Sequence, residues 1–314
     1  MRGLALAVLA AALATAALWF VAPYPRFLLA ELAVLVIAVL SLILLSGVAG
    51  MLSLASAAFM GVGGYGVLIL LTMLDLPLIV CIPLTLLLGW CIGWGIGLVA
   101  VRVSGLSLAI ATFGFVEIFQ VFTKEGGDFA GDGYGLVVPR LLLPGVGPLT
   151  RTMIGYACVF SAIVVVVLAG TLTRSRIGRA WHAIKDHPVA AEMQGVHLSV
   201  MRARAFATAG ALATFAGILQ ALLLGITNPN LYTADASIGH VAMMAVGGTS
   251  GSIAGAVLGP ALLFLLPESA DLGRYRELFY GAALLATLVL APRGLAGAWD
   301  FAVARLAART WRRR

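Results

Sequence analysis

Long unbroken apolar runs, rather than apolar–polar alternation, dominate the hydrophobic pattern of this chain. They lie at about 4–22, 28–48, 51–74, 77–101, 104–122, 153–172, 206–226, 238–250, 253–267 and 278–292. A helix needs about 20 apolar residues to cross a ~30 Å hydrocarbon layer, and most of these runs reach that length. The eighth and ninth are too short and are expected as half-spans or re-entrant pieces. The alternating segments of a transmembrane barrel are not seen. The pattern therefore predicts an all-α polytopic membrane protein with about 8–10 transmembrane helices. The run at 4–22 has the composition of a signal peptide, but an equally apolar run follows at once. It is expected to remain as an uncleaved first span.

One apolar phrase is written twice. Residues 53–64 read SLASAAFMGVGG and residues 237–248 read SIGHVAMMAVGG. Identity alone decides little in a chain so rich in Ala, Leu, Gly and Val, but position adds to it. The first copy opens the third run and the second copy opens the eighth, which is the third run of a second set of five. Five crossings reverse direction, so two five-run halves face opposite ways across a membrane, an architecture common among transport proteins. The expected organisation of residues 1–314 is one transmembrane domain. It has a first half at about 1–122, an external loop at 123–152 and a second half at about 153–292. A polar stretch at 173–204 lies within the second half, and a basic tail at 293–314 follows it.

Charge supports this layout. The chain is 62% hydrophobic and 11% charged, where soluble domains carry roughly 25% charged residues. Arg174, Arg176, Arg179, Lys185, Arg202 and Arg204 fall in 173–204, and Arg305, Arg309, Arg312, Arg313 and Arg314 in the tail. Lys and Arg mark the cytoplasmic side, so both stretches and both termini are expected inside. That layout puts fourteen Lys and Arg against three acids inside, and six against nine outside. The net charge of +7 then reflects topology and not a nucleic-acid partner, since no basic patch interleaves with aromatics. The tail WDFAVARLAARTWRRR is expected on the inner leaflet, as a basic amphipathic helix or a plain topological anchor.

Few residues carry chemistry. Cys81, Cys91 and Cys158 stand singly in apolar stretches without metal or disulfide spacing. No zinc-protease, nucleophile-elbow or paired intramembrane carboxylate pattern occurs, so no catalytic residue and no metal site is expected. The two lysines, Lys124 and Lys185, lie outside any P-loop, so this chain binds no ATP by that route. The candidates for a translocation path are the polar and glycine positions within the runs: Ser53, Gly63, Gly64, Glu117, Ser237, His240, Gly247 and Gly248. Glycines at matching places in two halves let backbones approach or a helix break. Glu117, within GFVEIFQVF, is expected to find partners in Gln120, Thr112 or Thr123, because an unsatisfied carboxylate in a bilayer is costly. Structural hydrogen bonding and tight packing explain these positions equally well.

The stretch RSRIGRAWHAIKDHPVAAEMQGVHLS (174–199) predicts a helix over Gly178–Asp186 halted before Pro188. A second short helix is expected over Val189–Gln194, opened by proline and ended by Gly195. Ala190 and Ala191 would let it lie close to another surface. A mere connection needs no such design; a docking element for a cytoplasmic partner does.

AAEMQG (190–195) resembles the core of the coupling loop of ABC-importer permeases. The wider sequence is similar to the branched-chain amino acid permease family. LSLASAAFMGVGGYG (52–66), SLAIATFGFVEIF (107–119), SRIGRAWHAIKDHPVAAEMQGV (175–196), GITNPNLYT (225–233), VGGTSGSIAGAVLGPALLFLLPE (246–268) and APRGLAG (291–297) follow the family order. Ala55–Ser56 stand where the family commonly has Gly-His or Gly-Gln, and Val189 stands where it has Glu. The resemblance implies a permease for branched-chain amino acids or a related small solute such as urea or a short amide. It implies a second permease subunit, with alternating access at the interface between the two, and a soluble substrate-binding protein docking at Asp128, Asp132, Asp235, Asp271 and Arg274. Two cytoplasmic ATPase subunits would hold ATP and magnesium, and this chain no cofactor. Arg179, Pro188, Ala190, Ala191 and Gly195 would form the ATPase-coupling element. The implied location is the bacterial inner membrane, in contact with lipid and no nucleic acid. From the residues alone, a stand-alone secondary transporter or facilitator remains the alternative.

Overall fold

The computed structural model describes residues 23–101, 103, 105–139, 142–143, 147–148, 150–248, 253–269, 276–290 and 294–295. The expected first span at 4–22, the basic tail from 296 onwards, Asp271 and Arg274 lie outside them.

Among the described residues, six helices are long and apolar enough to cross a membrane: Pro23–Val48, Ser56–Met73, Leu78–Val99, Leu106–Glu125, Arg151–Arg174 and Leu198–Leu224. The chain is thus an all-α polytopic membrane protein in its bulk. The first of these comprises α1 (Pro23–Leu42) and a π-helical turn, Ile43–Val48. The others are α2 (Ser56–Met73), α3 (Leu78–Val99), α4 (Leu106–Glu125) and α5 (Arg151–Arg174). Next come the short α6 (Arg176–Asp186) and α7 (Pro188–Met193), and then α8 (Leu198–Leu224). The last set is α9 (Ala234–Gly247), α10 (Ile253–Pro260), a π-helical turn (Ala261–Leu265), α11 (Leu266–Ser269) and α12 (Arg276–Leu290). Four two-residue strands make two small antiparallel pairs: β1 (Leu136–Val137) with β4 (Ile226–Thr227), and β2 (Leu142–Leu143) with β3 (Gly147–Pro148).

Two boundaries differ from the pattern-based expectation. The run at 51–74 begins as an extended stretch, and α2 starts only at Ser56. Gly50, at φ +73, ends the preceding helix in a left-handed turn. The apolar residues that follow find other partners for their backbone: Leu54 N–H donates to Thr112 Oγ1 at 2.9 Å and Ala55 N–H to Ser53 Oγ at 3.2 Å. The stretch 173–204 is helical almost throughout, because α8 begins at Leu198 and carries Arg202 and Arg204 in its first turns. As expected of the eighth run, α9 is short. Its 14 residues span about 21 Å.

α8 is the central post. α1, α2 and α3 all pack along it. On α3, Gly89, Gly93 and Gly97 form one stripe facing Thr214, Phe206 and Ala203 of α8, where any side chain would collide. Gly63 of α2 meets the Thr214 carbonyl, and Gly217 of α8 meets the Met60 carbonyl. Lipid gives helices no hydrophobic reason to associate, so close backbone contact between small residues supplies much of the attraction. α3 turns little more than this stripe inward; Leu84, Leu87, Leu88 and Trp90 lie on its exposed side. α9 and α10 pack on α1 and on each other, with Gly247 against Gly255 and Gly259 against the Met243 carbonyl.

The helix ends sort into two groups. At one end, Lys185 Nζ of α6 donates to Gly47 O, Arg202 Nη1 to Val101 O at 3.4 Å, and Trp181 Nε1 to Met201 O at 3.0 Å. At the other, β1 pairs with β4, Arg151 Nη2 donates to Leu224 O at 3.3 Å, Gln120 Nε2 to Pro229 O at 3.2 Å, and Tyr24 Oη to Glu268 at 2.6 Å.

Candidate functional site

The two copies of the repeated phrase meet at their starts. Ser56 Oγ, in the first turn of α2, lies 3.1 Å from Nδ1 of His240 on α9. Ala57 N–H donates to Ser237 Oγ at 3.0 Å. A helix start exposes N–H groups that its own turns cannot satisfy, and here a side chain from the other copy takes one of them. Ser53, Ser56, Ser237 and His240 are all buried.

His240 also lines a chamber of about 660 Å³ between α1, α8, α9 and α12. Its polar lining comprises Glu31, Gln220, Asn230, Asp235 and His240, and its apolar lining includes Leu35, Met60 and Met243. Glu31 sits in the third turn of α1, inside a run whose apolar average hides a single carboxylate. Gln220 and Asn230 are equally inconspicuous in sequence. Only the convergence of four helices reveals them as one group. Asn230 and Asp235 place part of the lining at the end of the molecule that carries β4 and the 225–233 turn.

The other candidates are placed differently. Gly63 and Gly247 are contact points of the helix packing described above. Gly64 lies under the Tyr232 hydroxyl. Tyr232 itself packs edge-on with Tyr65 and Phe119 at 6.2 and 6.4 Å between ring centroids. Burial pushes its phenol up to about 12, although a hydrogen bond from Thr227 Oγ1 at 3.0 Å opposes the shift. Gly248 ends α9 with φ +124, a backbone that L side chains avoid. None of these four glycines lines the chamber.

Glu117 does not find its expected partners. Thr112 is engaged with Leu54 and Ala109, Gln120 with Lys124 and Pro229, and Thr123 with carbonyls of its own helix. These residues share the inward face of α4, whereas Glu117 projects from the exposed face beside Ile110, Ile118 and Val121. At 100° per residue, Thr112 and Thr123 lie about 140° and about 120° round the helix from Glu117, and Gln120, its neighbour at i+3, is held by Lys124 and the Pro229 carbonyl.

The helix–proline–helix–glycine element forms as its residues require. Ser175 Oγ caps α6, accepting from Gly178 N–H at 3.4 Å. Pro188 opens α7 and Gly195 closes the following turn with φ +84. Ala191 is buried against the body, while Pro188, Val189, Ala190, Met193 and Gly195 are exposed. Arg179, also exposed, donates from Nη1 to Arg174 O at 3.0 Å, tying α6 to the end of α5.

Residues 24–288 match the family described as the permease component of the branched-chain amino acid transport system. The chain belongs to this family. It is 27% identical over 262 residues to the high-affinity branched-chain amino acid transport permease LivM of Salmonella typhimurium, covering 76% of this chain and 61% of that relative. It is 25% identical over 229 residues to the ribose import permease RbsC of Haemophilus influenzae, covering 69% of each. It is 28% identical over 216 residues to the autoinducer 2 import permease LsrC of Escherichia coli DH10B, covering 65% of this chain and 61% of LsrC. The chain thus spans about three fifths of the length of the LivM relatives it matches. No solved structure matches it. Its relatives are transport components rather than enzymes.

Proposed function

We propose that this chain is a permease subunit of an ATP-driven importer for branched-chain amino acids or a related small polar solute. The observation that carries this reading is α7. A six-residue helix buries one alanine against the body and turns Val189, Ala190 and Met193 outward, at the end of the molecule where Arg174, Arg176, Arg179 and Arg204 gather. An exposed apolar helix face among basic residues suits a groove on a cytoplasmic ATPase. A stand-alone transporter has no use for it. ATP and magnesium belong to two such ATPase subunits.

The remaining assembly follows from the faces left over. A carboxylate on the lipid side of a span is costly, so the exposed α4 face with Glu117 suits coverage by a second permease subunit. Phe129 and Tyr134, both well exposed and flanked by Asp128 and Asp132, suit docking of a soluble binding protein at the outer end. In this reading both termini and α6–α7 face the cytoplasm of a bacterial cell, the membrane is the inner one, and the two halves are an inverted repeat. The matched pairings support the repeat: α2 packs on α8 as α9 packs on α1, and α3 packs on α8 as α10 packs on α1.

A second reading concerns the solute only. RbsC and LsrC import ribose and autoinducer 2 by their names, which favours a sugar such as ribose as the competitor. The deciding experiment is mild-detergent purification of the tagged chain, followed by uptake assays with the co-purified subunits. A P-loop ATPase that is lost on Ala190→Trp, with ATP-dependent leucine uptake, supports the proposal. Solute passage in liposomes without any ATPase overturns it.

A further inference from the structure

A cleft of about 720 Å³ lies where α5 and the start of α6 meet α8, far from the repeated phrase. Its walls are Leu168 and Leu172 of α5, Leu212 of α8, Leu44 and Trp90 of α3. Trp90 is held by stacking on Trp94, with 5.2 Å between ring centroids. Small residues, Ala169 and Ala211, leave the depth unfilled. Three hydroxyl side chains also line it, but each is engaged on its own chain segment. Thr171 Oγ1 donates to Leu168 O at 2.8 Å, Ser175 Oγ to Leu172 O at 2.6 Å and Thr208 Oγ1 to Arg204 O at 2.9 Å. With those donors satisfied, the cleft offers hydrocarbon rather than hydrogen bonds, which suits an alkyl chain and not a polar solute. Trp90 and Leu168 are exposed at its edge, on spans that cross the bilayer.

The depth fits one leaflet. The lining along α5 runs from Val165 to Ser175, a rise of about 15 Å, which is half of a ~30 Å hydrocarbon layer. Charge gathers at one end only. Arg176 stands between the lining residues Ser175 and Ile177, and Arg204 stands one turn before Thr208 on α8. Both arginines are exposed. Helical side chains lean toward the N-terminus of their helix, so Arg204 leans from the cleft toward the basic end of the molecule. Neither 165–177 nor 201–212 contains Asp or Glu, so no acid along these two walls neutralises the arginines. An apolar slot one leaflet deep with guanidinium groups at its end matches the two parts of an anionic phospholipid. An acidic protein segment would meet the arginines and leave the slot empty.

We propose that this cleft binds one anionic phospholipid of the cytoplasmic leaflet. An acyl chain lies along Leu168, Leu172 and Trp90, and Arg176 and Arg204 hold the phosphate. The lipid fills the gap at the corner where α5 turns into α6 and so stabilises that corner. This goes beyond the permease reading and needs no ATPase.

The test uses the full chain, with whatever subunits accompany it, in mild detergent. It is titrated with phosphatidylglycerol carrying brominated acyl chains, which quench tryptophan fluorescence on contact, and with phosphatidylcholine of the same chains. Phosphatidylglycerol is expected to quench saturably, and Trp90→Phe to remove the saturable part. Arg176→Gln and Arg204→Gln are each expected to raise the half-saturating concentration about fivefold, and about 30-fold together. Ala211→Phe, which fills the cleft, is expected to remove the quenching with both arginines intact. Equal quenching by the two lipids, unchanged in the arginine variants, overturns the proposal. No quenching of Trp90 by either lipid shows that protein covers the cleft and also overturns it. Arginine variants that lose a co-purifying ATPase but keep their lipid affinity assign those residues to that partner; they overturn this proposal and support the permease reading. Saturable, arginine-dependent quenching in a preparation that holds no ATPase supports this proposal even where the permease reading fails.

Discussion

Ser56 and His240 hold the same place in the two copies of the repeated phrase, and their side chains meet at 3.1 Å. Equivalent residues touch one another only near an axis that relates the two copies. The contact thus draws together a sequence likeness and a packing arrangement that neither would establish separately. The copies differ at this place: where the first has a small hydroxyl the second has an imidazole, and the two are hydrogen-bonded to each other.

Neighbouring alanines on α7 should behave oppositely. Ala190→Trp, on the exposed side, is expected to abolish ATPase co-purification with little change in melting temperature. Ala191→Leu, at a site 3% exposed, overpacks the seat of the helix and should cost about 1–3 kcal/mol. Thermal shift and pull-down on the same preparations check both. Equal loss of partner without loss of stability in the two variants would contradict the orientation of α7.

Glycines on α3 should divide by face. Gly93→Leu drives a side chain into the Phe206 carbonyl of α8, while Gly95 has nothing within 4 Å of a Cβ position. The first is expected to lower stability by about 1–3 kcal/mol or more and the second to be neutral, read by detergent melting. Cys158 is fully buried, so a bulky change there would not serve as a neutral control.

Replacing Glu117 separates assembly from folding. Glu117→Leu removes a carboxyl group whose exposure to lipid is costly, so the isolated subunit should insert as well as before or better. Association with the second permease subunit, followed by cross-linking at Ile118→Cys, should weaken and uptake should fall. Unchanged association would show that another face meets the partner.

Reporters fused in the loop after Ala130 and in the turn after Gly195 should report opposite sides, outside for the first and inside for the second. Both on one side, or the reverse sense, would contradict the charge-derived topology. The result also tests whether the two helix-end groups correspond to the two membrane faces.

Much was already written in the order of residue types. Unbroken apolar runs determined that helices cross a bilayer, because length and hydropathy act locally along the chain. Pro188 and Gly195 determined where α7 begins and ends, since a missing N–H and a left-handed backbone are properties of single residues. The repeated phrase marked the two places that come together. Tertiary structure decided what those places face. Glu31, Gln220 and Asn230 look like isolated polar interruptions until α1, α8, α9 and the 225–233 turn converge on one chamber. Glu117 has polar neighbours in sequence, yet Thr112 and Thr123 fall on another face of α4 and Gln120 is held by Lys124 and Pro229. Gly89, Gly93 and Gly97 become a contact stripe only when α8 lies against α3. Spacing along one helix limits which residues share a face, but which face is buried depends on partners that lie far away in the chain.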